Sequence, residues 1–254
     1  MTLTNPSNWE EEEVEDPIGC TAWVYNCLAY ELTVFRTVET ADGEPAPWYA
    51  LKKDIESAML VDGVASICDH AFLHCVKMKS VQIPKSVTTI GDEAFSHCQG
   101  LKSIKIPDSV IFIGNGAFQE CPLSSIKIPR SVDSFGGNPF PSCLDLEEID
   151  VSENPSFDFV DGVLMDKDMT KIIFCDPFKS WAYSIPNTVT AIYAGAFAEC
   201  NRLWSITIPN SVVSIGSRAF QQCKRLPSIE IPNSVREIGD EAFANCFQME
   251  SITI

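Results

Sequence analysis

The sequence predicts an α/β repeat solenoid. It would be a right-handed curved array with short parallel strands on one side and short helical turns on the other. An N-terminal β cap opens it and a hairpin insertion interrupts it. Three observations carry this reading. One unit recurs with a period of 23 residues, clearest in residues 83–106, 208–231 and 231–254. Each unit contains a two-residue alternation that ends at a proline, followed by a short stretch with apolar residues at helical spacing. A unit this short cannot bury its own apolar positions, so units must stack and share one core.

The unit reads I-P-x-S-V-x-x-I-G-x-x-A-F-x-x-C-x-x-L-x-S-I-x. Its Phe column holds Phe72, Phe95, Phe118, Phe140, Phe197, Phe220 and Phe243, spaced 23, 23, 22, 57, 23 and 23 residues apart. The interval of 57 is one period plus an insertion of 34 residues. A Cys follows each Phe by three residues, from Cys75 to Cys246. Seven of the eleven Cys therefore fill one inward column, where Cys acts as a small buried hydrophobe rather than half of a disulfide.

The strand side comes from S-I-x-I, as in Ser103-Ile104-Lys105-Ile106, with Ile inward and Ser and Lys outward. Pro107 has no N–H to extend a ladder and ends the strand. The outward middle position runs Met59, Gln82, Lys105, Lys127, Asp150, and lacks the aromatic anchors of protein interfaces. On the other side, Ala94, Phe95 and Cys98 share one face of a helical turn, with Asp69, Asp92, Asn115, Ser217 and Asp240 placed as N-caps. Gly91, Gly114, Gly136, Gly216 and Gly239 precede those caps, which implies positive φ or close approach between turns.

These residues resemble the BspA-like leucine-rich repeat family, whose repeat the pattern above matches over about residues 57–254. The resemblance implies a leucine-rich-repeat solenoid, an extracellular or cell-surface setting, and non-catalytic binding or adhesion to a protein, host or matrix ligand. The chain then divides into an acidic leader (1–19), a β cap (20–56) and the repeat array (57–254) with its insertion at 152–185. The leader carries Glu10 to Asp16 and lacks the basic start and apolar stretch of a signal peptide. In the cap, Trp23, Tyr25, Phe35 and Trp48 are expected in its core, and a Cys20–Cys27 bridge is open by spacing.

In the insertion, Asp161-Gly162 signals a hairpin turn, and two or three extra strands should project or enlarge one turn. Its aromatic residues Phe157, Phe159, Phe178, Trp181 and Tyr183, with Trp204 nearby, are the candidate binding patch. His70, His74 and His97 are the only histidines and a weak metal candidate, with His74 and His97 expected to stack about 5 Å apart. No nucleophile–base pair, nucleotide-binding loop or zinc-ribbon spacing is found, so no enzyme and no cofactor are expected. The formal net charge of −17 opposes nucleic-acid partners, and no apolar run reaches the roughly 18 residues of a bilayer span, so no membrane insertion is expected. A structural scaffold is the alternative function, self-associating through the strand edge at Ile252–Ile254.

Overall fold

A computed structural model describes residues 23–26, 31–34, 46, 48–179 and 181–254, with backbone only at 23–26 and 181. The acidic leader, Cys20, Cys27, Phe35 and the side chains of Trp23, Tyr25 and Trp181 lie outside the described residues.

The chain winds into a β-solenoid of about nine turns. Two rows of short strands run along it. The first contains Ser57–Leu60, Ser80–Gln82, Ser125–Lys127, Glu148–Asp150, Trp181–Ser184, Leu203–Thr207, Ser228–Glu230 and Ser251–Thr253. The second, begun by the S-V-x-x-I part of each unit, contains Ser66–Ile67, Thr89–Ile90, Phe112–Ile113 and Ser134–Phe135 in one four-stranded parallel sheet. At the N-terminal end Glu31–Val34 pairs parallel with Ser57–Leu60 and antiparallel with Trp23–Asn26, and it buries Leu32 and Val34.

The core is a stack of repeated columns. Phe72 and Phe95 lie with ring centroids 5.2 Å apart and 6° between planes, and Phe197, Phe220 and Phe243 stack the same way. Trp48 heads the column 5.7 Å from Phe72, and its indole N–H donates to the Ala71 carbonyl at 2.7 Å. Each buried Phe contributes about 2–3 kcal/mol through the area it removes from water. The Cys thiols do more than fill space. Cys98 donates to Phe72 O at 3.2 Å, Cys121 to Phe95 O at 3.1 Å and Cys223 to Phe197 O at 3.1 Å, each reaching the preceding turn. Burial pushes the Cys75 thiol up to about 12 and raises Cys143 as well, so these thiols stay protonated.

The helical turns expected opposite the strands are absent; among the described residues the only helix is the 3-10 turn Tyr49–Leu51. The reason lies in how the backbone donors are shared. His70, Phe72 and His74 N–H groups donate to Asp92, Ala94 and Ser96 carbonyls of the next turn at 2.9, 2.7 and 2.9 Å. The intervening Ala71, Leu73 and Cys75 N–H groups close on carbonyls three residues back at 3.3, 3.0 and 3.1 Å. An α-helix would use all of these donors internally. Such alternation requires left-handed residues four apart, and they are present at His70/His74, Glu93/His97, Gly116/Glu120, Arg218/Gln222 and Glu241/Asn245. A non-Gly residue in that region costs roughly 1–2 kcal/mol, offset here by a ladder that repeats in every turn. The Asp and Asn expected as N-caps serve the same ladder: Asp69 accepts from the Asp92 N–H, and Asp92 from the Asn115 N–H, both at 2.7 Å.

Two features interrupt the regularity. On the first strand row, the segment at 101–107 has the S-I-x-I sequence yet forms no strand, so Ser80–Gln82 and Ser125–Lys127 belong to separate sheets. On the second row, the insertion supplies Phe157–Val160, Val163–Asp166 and Lys171–Cys175, antiparallel to one another. Lys171–Cys175 then pairs parallel with Ala191–Ile192 and the strands after it, giving a six-stranded sheet.

Candidate interaction surface

The insertion is built from two turns. Asp161 and Gly162 both have positive φ, 53° and 77°, as a two-residue type I′ hairpin requires. At the second turn, the Asp166 carboxylate accepts the Thr170 and Lys171 N–H groups at 2.6 and 2.8 Å, which fixes the entry into Lys171–Cys175. The resulting sheet does not project from the array. Its two inner strands stand inside the array as a partition buried on both faces, at Val163–Met165 and Ile172–Cys175, whereas Val160 on the outer strand is exposed. Phe157, Leu164, Ile173 and Phe174 pack into the core of the preceding turns, whereas Val163, Met165, Ile172 and Cys175 pack into the core of the following turns. On the side opposite the strands the array passes the partition directly. Asn138 N–H donates to Ala194 O at 3.0 Å, its side-chain amide donates to Gly195 O at 2.8 Å, and the Ser142 hydroxyl donates to Glu199 at 2.8 Å.

This architecture sorts the aromatic candidates. Phe157 is only 3% exposed and is a core residue, 4.7 Å from Phe135, because its face of the strand packs on the first core. Phe159 packs partly buried on the first core. Tyr183 does the same on the second core, 6.0 Å from Phe197, and burial raises its hydroxyl to about 12. Trp181 lies on the strand Trp181–Ser184, and its side chain is outside the described residues. Phe178 and Trp204 are exposed, at 43% and 56%.

Trp204 stands in an outward column of the repeat, at the position of Lys79, Lys102, Glu147 and Glu250, which are exposed as well. Trp181 pairs with Leu203 and Ala182 with Ser205, so Trp204 is the extra residue of a β-bulge. Two residues earlier, the Arg202 guanidinium lies 5.8 Å from the Phe178 ring centre and donates to Phe178 O at 3.0 Å. The Phe178–Arg202 pair and Trp204, two residues after Arg202, are the candidate Phe–Arg–Trp strip. The turn that carries Phe178 is held to the hairpin tip by Asp176 N–H donating to Gly162 O at 2.8 Å and by the Lys179–Asp161 ion pair at 3.6 Å. Arg202 escapes a reading by aromatic content, but its position in the turn just before the strand that carries Trp204 was the available signal.

The histidines are placed otherwise. His74 and His97 stack at 4.4 Å, and burial followed by the His97 charge lowers the His74 pKa. His97 contacts Glu120 at 2.8 Å and His70 contacts Glu93 at 3.7 Å, each in the next turn. Among the described residues no group of three His, Cys, Asp or Glu is arranged to hold a metal ion. No helix among them is long and apolar enough to cross a membrane.

The repeat geometry agrees with its relatives. The chain belongs to the BspA type leucine rich repeat family, whose model matches in six copies over residues 65–184 and 171–254. A leucine-rich repeat protein from Eubacterium ventriosum superposes with a TM-score of 0.72 at 26% identity, over 91% of this chain and 69% of that one. The pneumococcal vaccine antigen PcpA superposes with a TM-score of 0.62 at 22% identity, over 94% of this chain and 64% of that one. A leucine rich cell surface protein from Faecalibacterium prausnitzii gives 0.59 at 25% identity, over 95% and 88% of the two chains. No curated protein sequence matches the chain.

Proposed function

We propose that the chain is a non-catalytic binding module of a surface protein, adhering to a protein of the host or its matrix through the strip Phe178–Arg202–Trp204. The observation that carries this reading is the exposure of Trp204 two residues after Arg202, whose guanidinium lies over the exposed Phe178 ring. Trp and Arg are among the residues most enriched at binding hot spots, and here Trp204 sits on a paired strand with Arg202 in the turn before it. Membership of the repeat family supports an interaction role, and a cell-surface relative supports the setting. The test is attachment of the purified chain to a panel of immobilised matrix proteins. Trp204→Ser with Phe178→Ser is expected to weaken attachment about tenfold or more, at the hot-spot scale, with the melting temperature unchanged. Undiminished attachment of that double variant to every matrix protein bound by the parent would reject the strip.

A second reading, a self-associating scaffold, rests on the last turn. Ser251–Thr253 pairs with Ser228–Glu230, and Phe247, Ile252 and Ile254 are exposed beside it. A mass that rises with concentration, and that falls back in Ile252→Lys, would favour it.

A further inference from the structure

The break in the first strand row is a place where the molecule lacks a strand partner. The flanking pairs are intact: Ser57–Leu60 with Ser80–Gln82, and Ser125–Lys127 with Glu148–Asp150. Between them, among the described residues, no backbone hydrogen bond ties residues 102–106 to a neighbouring turn. The side chains register the same opening. Val81, Ile83 and Ile104 are only partly buried, whereas their equivalents Ile126, Ile128 and Ile229 are fully covered. The opening is a groove of about 890 Å³, with these apolar residues as its floor and three Lys (Lys85, Lys105 and Lys127) against two acids (Asp108 and Glu153) on its lining.

We propose that this groove takes an extended, acid-rich peptide of a partner protein, which adds as a β-strand beside residues 103–106. Three features point to that occupant. Unpaired N–H and C=O groups along an extended segment are the template for strand addition. A strand of about five residues, about 17 Å long, 4.8 Å wide and 10 Å deep, occupies about 800 Å³, close to the space present. The charge selects acid. Residues 77–130 hold seven Lys and Arg against four Asp and Glu, within a chain of net charge −17. Lys127 is paired with Glu153 at 3.1 Å, but among the described residues Lys85 and Lys105 have no ion pair. Alternate residues of the peptide would set apolar side chains on Val81, Ile83 and Ile104 and carboxylates toward Lys85 and Lys105. Polyanions such as nucleic acid lack the alternating apolar half that the floor requires. The site shares no residue with the Phe178–Arg202–Trp204 strip, so each can fail alone.

The test uses the full chain and a capped peptide of alternating Val and Glu. Two further peptides serve as comparison: alternating Val and Lys, and the Val/Glu peptide with alternate backbone nitrogens methylated. Titration calorimetry should show the Val/Glu peptide binding at least about tenfold more tightly than Val/Lys, the scale of electrostatic selection. Methylation should abolish binding. Hydrogen exchange should slow at residues 103–106 and their flanking strands, and Lys105→Glu should weaken binding while Trp204→Ser leaves it unchanged. The proposal is overturned if the Val/Glu peptide shows no binding up to about 1 mM. It is equally overturned if the methylated or Val/Lys peptide binds as well, or if protection maps instead to the free edge at 251–253.

Discussion

Gly91 shows how tightly successive turns fit. A Cβ there would lie 2.3 Å from Asp69 Oδ1 and 2.6 Å from the Asp69 nitrogen, and the equivalents Gly114, Gly216 and Gly239 face similar backbone contacts at 2.3–2.4 Å. None of these four has positive φ, so close approach rather than a left-handed conformation explains the column. Cys68 and Tyr193 break it because neither follows an ordinary repeat turn: Tyr193 N–H instead bonds Ile172 of the partition. Gly91→Ala is therefore expected to destabilise the chain by about 1–3 kcal/mol, the usual cost of overpacking, as measured by denaturant unfolding. A change under 0.5 kcal/mol would contradict the packing argument. Residue identity was a good guide where shape decides the matter, as in the Phe, Cys and Gly columns. It failed at the left-handed positions, since His, Glu, Arg, Gln and Asn all occupy them and no shared chemistry marks them. The Asp69 and Asp92 oxygens are backbone acceptors as the capping pattern implies, but the N–H they serve is 23 residues away rather than two or three.

The insertion illustrates how an element is misread when only one buried face is assumed. The Asp161-Gly162 signal left the extra strands free to project or to enlarge one turn, and the run Lys171–Cys175 has four consecutive buried residues, Ile172 to Cys175. Uninterrupted apolar runs belong to strands covered on both sides, so the sequence held the signal for a partition. Its consequence for binding is that Phe157 and Phe174 are spent on packing, leaving Phe178 and Trp204 at the rim. Leu164 is fully buried against the first core, next to Val163 and Met165, which face the second. Leu164→Ala is expected to cost about 2–5 kcal/mol and to loosen the coupling of the two halves, so that denaturant unfolding separates into two transitions. Val160→Ala, at the exposed hairpin tip, should stay within about 0.5 kcal/mol. A single transition with equal shifts for both variants would refute the partition's role.

At the scale of the whole molecule, period and columns made the solenoid legible, but not its gaps. Residues 103–106 repeat the strand pattern faithfully and still form no ladder. Pairing is decided by how neighbouring turns lie, and a pattern local to one turn does not encode that. The bulge at Trp204 was likewise invisible, because it is a count of residues between two strands rather than a property of either.

The bonds between turns run along the axis of the stack, which decides how the molecule answers a pull. Tension applied at its two ends loads the rungs one after another, as in a zipper, instead of shearing a whole sheet at once. Each released turn would lengthen the tether by about 80 Å, from 23 residues at about 3.5 Å apiece. The partition, anchored in both cores, is the stop in that sequence, and single-molecule extension should record it as one longer, stronger step among short regular ones. A chain built this way would yield gradually under tension while the turns beyond the partition remained folded.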